Sequence, residues 1–257
     1  PDRVLLREID TVAVETDDRC VYAQQDVPIT ITLRVFSKGQ PAQQPTTIVL
    51  EQWRDYTYVP PIDHGVPLAG DRPVMAGTRF TFVRVEQDDM ALAIPSSITV
   101  PAGGVARLTI TPRGATSPGC YKIRFIPPGA RADPPADFLR PAFDPTIDFF
   151  TNLRVLPADD YSRLEDGQIT WQLIYSEVFS YYALIYPIMS TIIPWGPDDA
   201  PNDVEHLRQY ATLIRRVVDE TNIASPMYMP ITRELSAGKR ALVRRWCDLQ
   251  MRPARDL

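Results

Sequence analysis

The chain has 257 residues, enough for one large domain or two modest ones with a real core. Its formal net charge is −5. General binders of nucleic acid or of anionic membranes carry a basic surface, so the composition argues against both classes. Proline is abundant, with 26 residues against an average usage of about 5%, which favours a loop-rich β protein.

The first part of the chain alternates apolar and polar residues in short runs. Residues 29–36 are the clearest example, because β-branched side chains recur at every second position and turn-forming residues follow. Comparable runs predict strands at 4–14, 47–53, 80–85, 97–100, 105–111, 119–125 and 147–156. Residues 101–104 (Pro-Ala-Gly-Gly) predict a turn that joins 97–100 and 105–111 as a pair. Short alternating strands between Pro/Gly turns are typical of a β-sandwich.

The segments 98–110 and 118–123 resemble the late strands of bacterial immunoglobulin-like and fibronectin type III-like domains. In those domains a Pro-Gly-x-Tyr entry often opens the penultimate strand, and Pro118 to Tyr121 matches it. The resemblance covers about residues 1–157 and implies an antiparallel sandwich that acts as a scaffold for binding or spacing. It also implies a tyrosine corner at Tyr121. The proline-rich stretch 127–145 and the lack of a Cys–Trp–Cys core depart from the family pattern.

Residues 158–257 predict a small helical domain. The segment 169–193 is rich in aromatic residues, and its apolar side chains fall on all sides of a helix, so we expect a largely buried helix that ends near Pro187. Its Glu177 and its tyrosine hydroxyls make a membrane span a poor alternative. Asn202 or Asp203 is expected to cap a second helix and Ser236 a third. The fold prediction is therefore an all-β sandwich followed by helices.

The three cysteines, Cys20, Cys120 and Cys247, do not form a metal-binding pattern. Cys20 and Cys120 could pair across the sandwich or remain free, and the sequence leaves both open. No signal peptide is visible and the first residue is not Met, so we expect either a processed chain or a fragment of a longer protein. The sequence therefore does not identify the cellular compartment. One alternative is a soluble protein that is secreted or periplasmic after processing.

The loop 53–65 resembles a ligand-binding segment more than any other stretch does. It carries Trp53, Tyr56, Tyr58 and His64, and aromatic loops on rigid scaffolds commonly recognise peptides or sugars. The alternative is that these aromatic side chains cover the edge of the core and bind nothing.

In the helical part, Tyr182 on the aromatic helix and Arg240 and Arg244 on the last helix are the candidate partner-binding residues. The acidic residues 159–166 do not match an EF-hand loop, so capping and solvation explain them better than calcium does. The acids of 159–205 favour salt bridges with the basic last helix over a phosphate or nucleic-acid contact.

None of the common catalytic or cofactor motifs occurs, and only two histidines are present. We therefore predict a non-catalytic accessory or protein-interaction module, a fragment or subunit of a larger assembly, without metal or cofactor. Its partner is another protein chain or domain. The first alternative is an enzyme with a site at the sandwich–helix junction, built on Asp63 and His64 or on the acids 159–166. The second is a carbohydrate-binding module that uses residues 53–58.

Overall fold

The computed structural model describes residues 12–55, 82–85, 91–115, 117–130, 148–193, 204–223 and 225–252. The chain divides into two compact units, Pro1–Val155 and Leu156–Leu257. The first, the β unit, contains two sheets, and the second, the helical unit, contains the helices. The predicted order of β structure followed by helices is confirmed.

Within the described residues, the strands of the β unit form one five-stranded and one six-stranded antiparallel arrangement. The first has the order β1-β3-β9-β7, with β4 paired to β3, and the second has the order β2-β11-β10-β5-β6, with β8 paired to β5. In chain order the strands are β1 (Val12–Thr16), β2 (Cys20–Gln24), β3 (Ile29–Ser37), β4 (Gln40–Pro41), β5 (Thr46–Asp55), β6 (Phe82–Arg84), β7 (Leu92–Ala93), β8 (Ser97–Val100), β9 (Val105–Pro112), β10 (Gly119–Ile126) and β11 (Phe149–Leu156).

Both sheets contribute to one hydrophobic core. Because successive side chains of a strand point to opposite faces, every second residue of the longer strands is buried. The core therefore draws on alternate positions of β3, β5, β9 and β10, namely Ile31, Leu33, Val35, Ile48, Leu50, Leu108, Ile110, Tyr121, Ile123 and Phe125. The alternation seen at 29–36 predicts this arrangement correctly.

The turn 101–104 connects the two sheets, so the predicted pairing of 97–100 with 105–111 is wrong. Strand β8 pairs with β5, and Ser97 lies opposite Val49. Strand β9 pairs with β3, and Ile110 lies opposite Ile29. Alternation identifies a strand but does not select its partner, and here each strand pairs with a longer strand of its own sheet.

Gly104 is required where this turn meets β3. Its φ is +72°, and an added Cβ would lie 2.3 Å from the carbonyl oxygen of Val35. The same residues are joined by a hydrogen bond of 2.7 Å from the Val35 amide to the Gly104 carbonyl. A side chain at this position would therefore meet both backbone strain and a backbone clash.

We predict that Gly104→Ala destabilises the β unit by about 1–3 kcal/mol more than Gly114→Ala does, the usual range for overpacking. Gly114 is the matched control, because its φ is +70° but an added Cβ would meet nothing within 4 Å. Urea unfolding of both variants measures the difference. Equal losses in the two variants would contradict the role of the close contact with Val35.

Tyr121 occupies the position that the resemblance to immunoglobulin-like domains implies. Its ring is buried in the core, and its hydroxyl donates to the carbonyl of Ser117 at 2.8 Å. A buried tyrosine that bonds to backbone a few residues upstream is the arrangement of a tyrosine corner. The ring of Tyr121 is thus packed in the core, and its hydroxyl has a hydrogen-bond partner.

In the helical unit, the aromatic segment forms α1 (Trp171–Ile174), a π-helical turn (Tyr175–Phe179), α2 (Ser180–Ile185) and a 3-10 turn (Pro187–Thr191). The other α-helices of the described residues are α3 (Val204–Val217) and α4 (Ala237–Met251). Helix α2 ends just before Pro187, as predicted. Ser236 caps α4 and accepts from the Lys239 amide at 3.2 Å, also as predicted. The predicted caps of α3 lie outside the described residues.

The π turn decides which residues face the helical core. It contains about one residue more than an α-helical turn. Phe179, eight residues after Trp171, therefore lies where the seventh residue after Trp171 would lie in a uniform α-helix. The two rings stack with centroids 5.4 Å apart, and Trp171 also contacts Trp246 of α4 at 5.2 Å. Sequence periodicity does not indicate this extra residue. Within the described residues, no helix combines the length and apolarity needed to cross a bilayer.

Candidate functional site

Trp53, at the start of the predicted aromatic site, lies in β5. It is 5% exposed, and its indole nitrogen donates to the Glu51 carboxylate at 3.1 Å. Tyr56, Tyr58 and His64 fall outside the described residues, so their proposed role as ligand contacts remains a prediction.

Trp53 belongs to a buried charged cluster that sequence reasoning missed. Glu51 and Arg124 lie directly opposite each other on β5 and β10 and form a salt bridge of 3.3 Å. Arg124 also contacts Asp148 at 3.0 Å, and Glu51 contacts the half-exposed Arg84 at 3.2 Å. Glu51 and Arg124 are 4% and 5% exposed. Opposite charges in register stabilise a strand pair, and here they do so away from solvent.

The cluster lies on the face of its sheet opposite to the hydrophobic core. On β5 the core residues occupy even positions such as Leu50, whereas Glu51 and Trp53 occupy odd positions. On β10 the relation is reversed, with Ile123 in the core and Arg124 on the other face. Both faces of the sheet are thus buried near the cluster, and the charges balance one another within it.

The predicted partner-binding residues of the helical unit have different surroundings. Tyr182 is 8% exposed, and burial raises the pKa of its hydroxyl. Arg240 is 7% exposed, donates to the Tyr228 hydroxyl at 2.8 Å and pairs with Glu220 at 3.2 Å. Arg244 is half-buried. Arg240 therefore holds the segment 220–228 against α4, and its contact with a partner remains a prediction.

Two residues of the predicted acidic stretch, Asp159 and Asp166, are bound by polar groups of the helical unit. Asp166 pairs with Arg245 at 2.5 Å and with Arg252 at 3.0 Å, and these two guanidinium groups, Arg245 first, lower the pKa of its carboxyl. The Asp159 carboxylate accepts a hydrogen bond from the Ser236 hydroxyl. The salt-bridged face predicted for the last helix is therefore present at Asp166.

All three cysteines are free thiols. Cys20 is exposed and Cys120 half-buried, so the question of their pairing is answered in favour of two free thiols. Cys247 is buried in the helical core, and burial raises the pKa of its thiol to about 12. A neutral thiol in such surroundings is chemically inert.

The feature of the helical unit that most resembles a binding site is an exposed apolar ridge. We define the ridge as Tyr181, Leu184, Ile185, Ile188 and Ile192. The side chains of Leu184 and Ile188 are 82% and 72% exposed, and the other three are between 42% and 53% exposed. Their spacing places them along one side of α2 and the following turn. The sequence predicts that residues 169–193 are largely buried, but the ridge, which lies in the second half of this segment, is exposed.

A small apolar pocket is lined by residues of the segment 180–193 that are not part of the ridge. Its walls come from α2, the turns around it, α3, α4 and the chain 229–235, and they include Tyr182, Met189, Val217, Met229 and Val243. The Tyr186 hydroxyl is 3.4 Å from the Thr232 hydroxyl, which joins the aromatic segment to the chain 229–235. The segment 180–193 therefore presents apolar side chains both to the pocket and to solvent.

No protein-family profile matches the chain. It is similar to Dichlorochromopyrrolate synthase of Lentzea aerocolonigenes, with 26% identity over 269 residues that cover 94% of this chain and 24% of that protein. It is also similar to 2-imino-3-(indol-3-yl)propanoate dimerase of Chromobacterium violaceum, with 38% identity over 93 residues that cover 35% of this chain and 9% of that protein. The chain thus spans a quarter or less of the length of these relatives.

Among solved structures, the chain is similar to the adhesin InvE of Yersinia pseudotuberculosis. The match covers 56% of this chain and 31% of the adhesin chain, with 11% identity and a TM-score of 0.31.

Proposed function

We propose that this chain is a non-catalytic interaction module within a longer polypeptide, and that the ridge on its helical unit docks against another part of that polypeptide. The observation that carries the proposal is the exposure of Leu184 and Ile188, at 82% and 72%, within a continuous apolar ridge. Contiguous exposed apolar surface is characteristic of a protein–protein contact, whereas single exposed apolar residues are ordinary.

The match to Dichlorochromopyrrolate synthase supports the proposal that this chain is part of a longer polypeptide. It covers 94% of this chain but 24% of that protein, so about three quarters of the relative has no counterpart here. In a protein of that organisation, the ridge has a covalently attached partner at a high effective concentration. The synthase activity would then belong to the other part of the polypeptide, and this module would position or stabilise that part.

For the β unit we propose an immunoglobulin-like sandwich that ends near residue 157, with the helical domain occupying 158–257. Two antiparallel sheets that share one core, together with the tyrosine corner at Tyr121, support this assignment. Such a sandwich acts as a rigid spacer or platform.

Hydrogen exchange of the ridge tests the docking proposal. We expect amides of 181–192 to exchange at least about tenfold more slowly in the full gene product than in the 257-residue chain, because a docked segment opens less often. In the full product, Leu184→Asp with Ile188→Asp should restore fast exchange, since burying carboxylates opposes docking.

Val27→Asp is the matched control, because Val27 is an apolar residue that is 50% exposed in the β unit. It should leave the exchange of 181–192 unchanged. A gene that encodes nothing beyond this chain, or a ridge that exchanges equally fast in both products, would refute the proposal.

A second candidate function is an enzyme whose site includes residues of this chain. The printed names of the two relatives, a synthase and a dimerase, favour it. It predicts that substitutions at Asp63, His64 or the acids 159–166 reduce turnover of the full product without altering the exchange of the ridge. The carbohydrate-binding alternative depends on residues 53–58, of which Trp53 is buried.

A further inference from the structure

The pocket beside the ridge has room for one apolar side chain. Its volume is about 50 Å³. This is the space of about four water molecules, each of which needs roughly 10–15 Å³ by the same measure. Typical ligand pockets are several times larger, at about 300–1,000 Å³. The pocket therefore fits the branched end of a leucine or isoleucine, the end of a methionine, or the edge of a phenyl ring.

The walls of the pocket are apolar and held in place. Hydrophobic and aromatic side chains such as Val178, Tyr182 and Val243 line it. Apolar walls of this kind hold water weakly, because a water molecule in the pocket finds no hydrogen-bond partner on them. An apolar side chain that enters loses no hydrogen bond and is removed from water.

The wall formed by the chain 229–235 is held in place by Arg233. Its guanidinium donates to the carbonyls of Ile223 at 2.7 Å and Ile231 at 2.6 Å, and it lies 3.5 Å from that of Ser225. The Met229 amide donates to the carbonyl of Val217 at 2.9 Å, which ties this wall to α3. A cavity with walls fixed in this way is shaped before its occupant arrives, and preorganisation lowers the cost of binding.

We propose that this pocket is the anchor site of the docking surface, and that it receives one leucine, isoleucine, methionine or phenylalanine side chain from the segment of the longer polypeptide that covers the ridge. The inference rests on the proposed function, because the segment that covers the ridge is part of that proposal. Interfaces commonly place one apolar side chain in a central pocket and surround it with weaker contacts. The ridge and the pocket are both built on the segment 180–193, so a chain that covers this segment lies near both.

The small volume of the pocket argues against a free small molecule as the occupant. A fused two-ring compound, such as an indole, exceeds the space of about four water molecules. A charged substrate would also place its carboxylate among apolar walls without a hydrogen-bond donor. One apolar side chain satisfies both limits.

Xenon is a suitable probe, because it binds small apolar cavities. In the 257-residue chain, we expect xenon under pressure to shift the methyl resonances of Val178 and Val243. In the full gene product these shifts should disappear, since the anchor side chain already fills the pocket. Absence of shifts in the chain alone, or equal shifts in both products, would overturn the anchor site.

A pocket-filling variant gives a second test. Val217→Phe fills the pocket from α3, and we expect it to raise the exchange rate of 181–192 in the full product at least about tenfold, which corresponds to about 1.4 kcal/mol. Leu213→Phe is the matched control, because Leu213 lies one turn earlier on α3, is 36% exposed and is not among the pocket residues. It should change this rate less than twofold.

The two proposals fail separately. If the ridge is protected in the full product but Val217→Phe has no effect and xenon still enters, the anchor site is wrong and the docking proposal stands. If the ridge is not protected, the docking proposal fails and the anchor site fails with it.

Discussion

Arg124→Met is expected to lower the free energy of unfolding of the β unit by about 3–5 kcal/mol, the usual cost of breaking a buried ion pair from one side. Arg124 is 5% exposed and contacts both Glu51 and Asp148, so its removal takes a positive charge from two carboxylates whose side chains are 4% and 10% exposed. Methionine retains most of the side-chain length, which limits the contribution of a cavity. Amide exchange in β5 and β10 measures the loss in the β unit alone.

Arg34→Met is the matched control for this prediction. Arg34 also forms a two-point contact with a carboxylate, to Asp17 at 2.7 and 2.8 Å, but both partners are about half exposed. Water replaces the lost contacts there, so we expect only a slight loss of stability. Similar losses for the two variants would show that burial does not set the value of the Arg124 pairs.

The double variant Glu51→Leu/Arg124→Met separates pairing from packing. It removes both members of the Glu51–Arg124 pair and leaves Asp148, and apolar residues of similar size often replace a buried ion pair at little cost. The loss should therefore be smaller than for Arg124→Met alone. A larger loss would mean that Glu51 stabilises the sheet mainly through its other contacts, with Trp53 and Arg84.

The longest strands of the β unit, β3, β5, β9, β10 and β11, were predictable because one face of each meets the core, whereas the short strands β2, β4 and β7 were not predicted. Alternation at 29–36 locates β3 within a residue, since period two is a local property of the chain. Strand partners are not local. The turn 101–104 has the composition of a hairpin turn, yet β8 and β9 pair with β5 and β3. The order of strands in a sheet depends on packing between distant segments, which turn chemistry does not encode.

The charged cluster and the ridge were missed for related reasons. Charged residues in alternating strands indicate a solvent-facing side, and the sequence does not reveal that Glu51 and Arg124 are buried. Apolar residues on all sides of 169–193 indicate burial, but the exposure of Leu184 depends on which surfaces surround the helix. The π turn adds to the difficulty, because an extra residue shifts the faces of α2 relative to α1.

Trp246→Ala is expected to destabilise the helical unit by about 3–5 kcal/mol, the usual cost of truncating a buried large aromatic side chain. Trp246 is 1% exposed and lies 5.2 Å from the ring of Trp171, so its removal leaves a cavity at the contact between α1 and α4. Exchange of the α4 amides and the near-ultraviolet dichroism of the aromatic residues measure the effect.

Two further substitutions distinguish ring packing from general sensitivity of the helix. Trp246→Phe keeps an aromatic ring against Trp171 and leaves a smaller cavity, so its cost should lie well below that of the alanine variant. Leu249→Ala alters a half-buried residue on the same helix and should also cost less. If all three variants lost the same stability, α4 would be sensitive to any substitution, and the contact between Trp171 and Trp246 would not be the main stabilising contact of this unit.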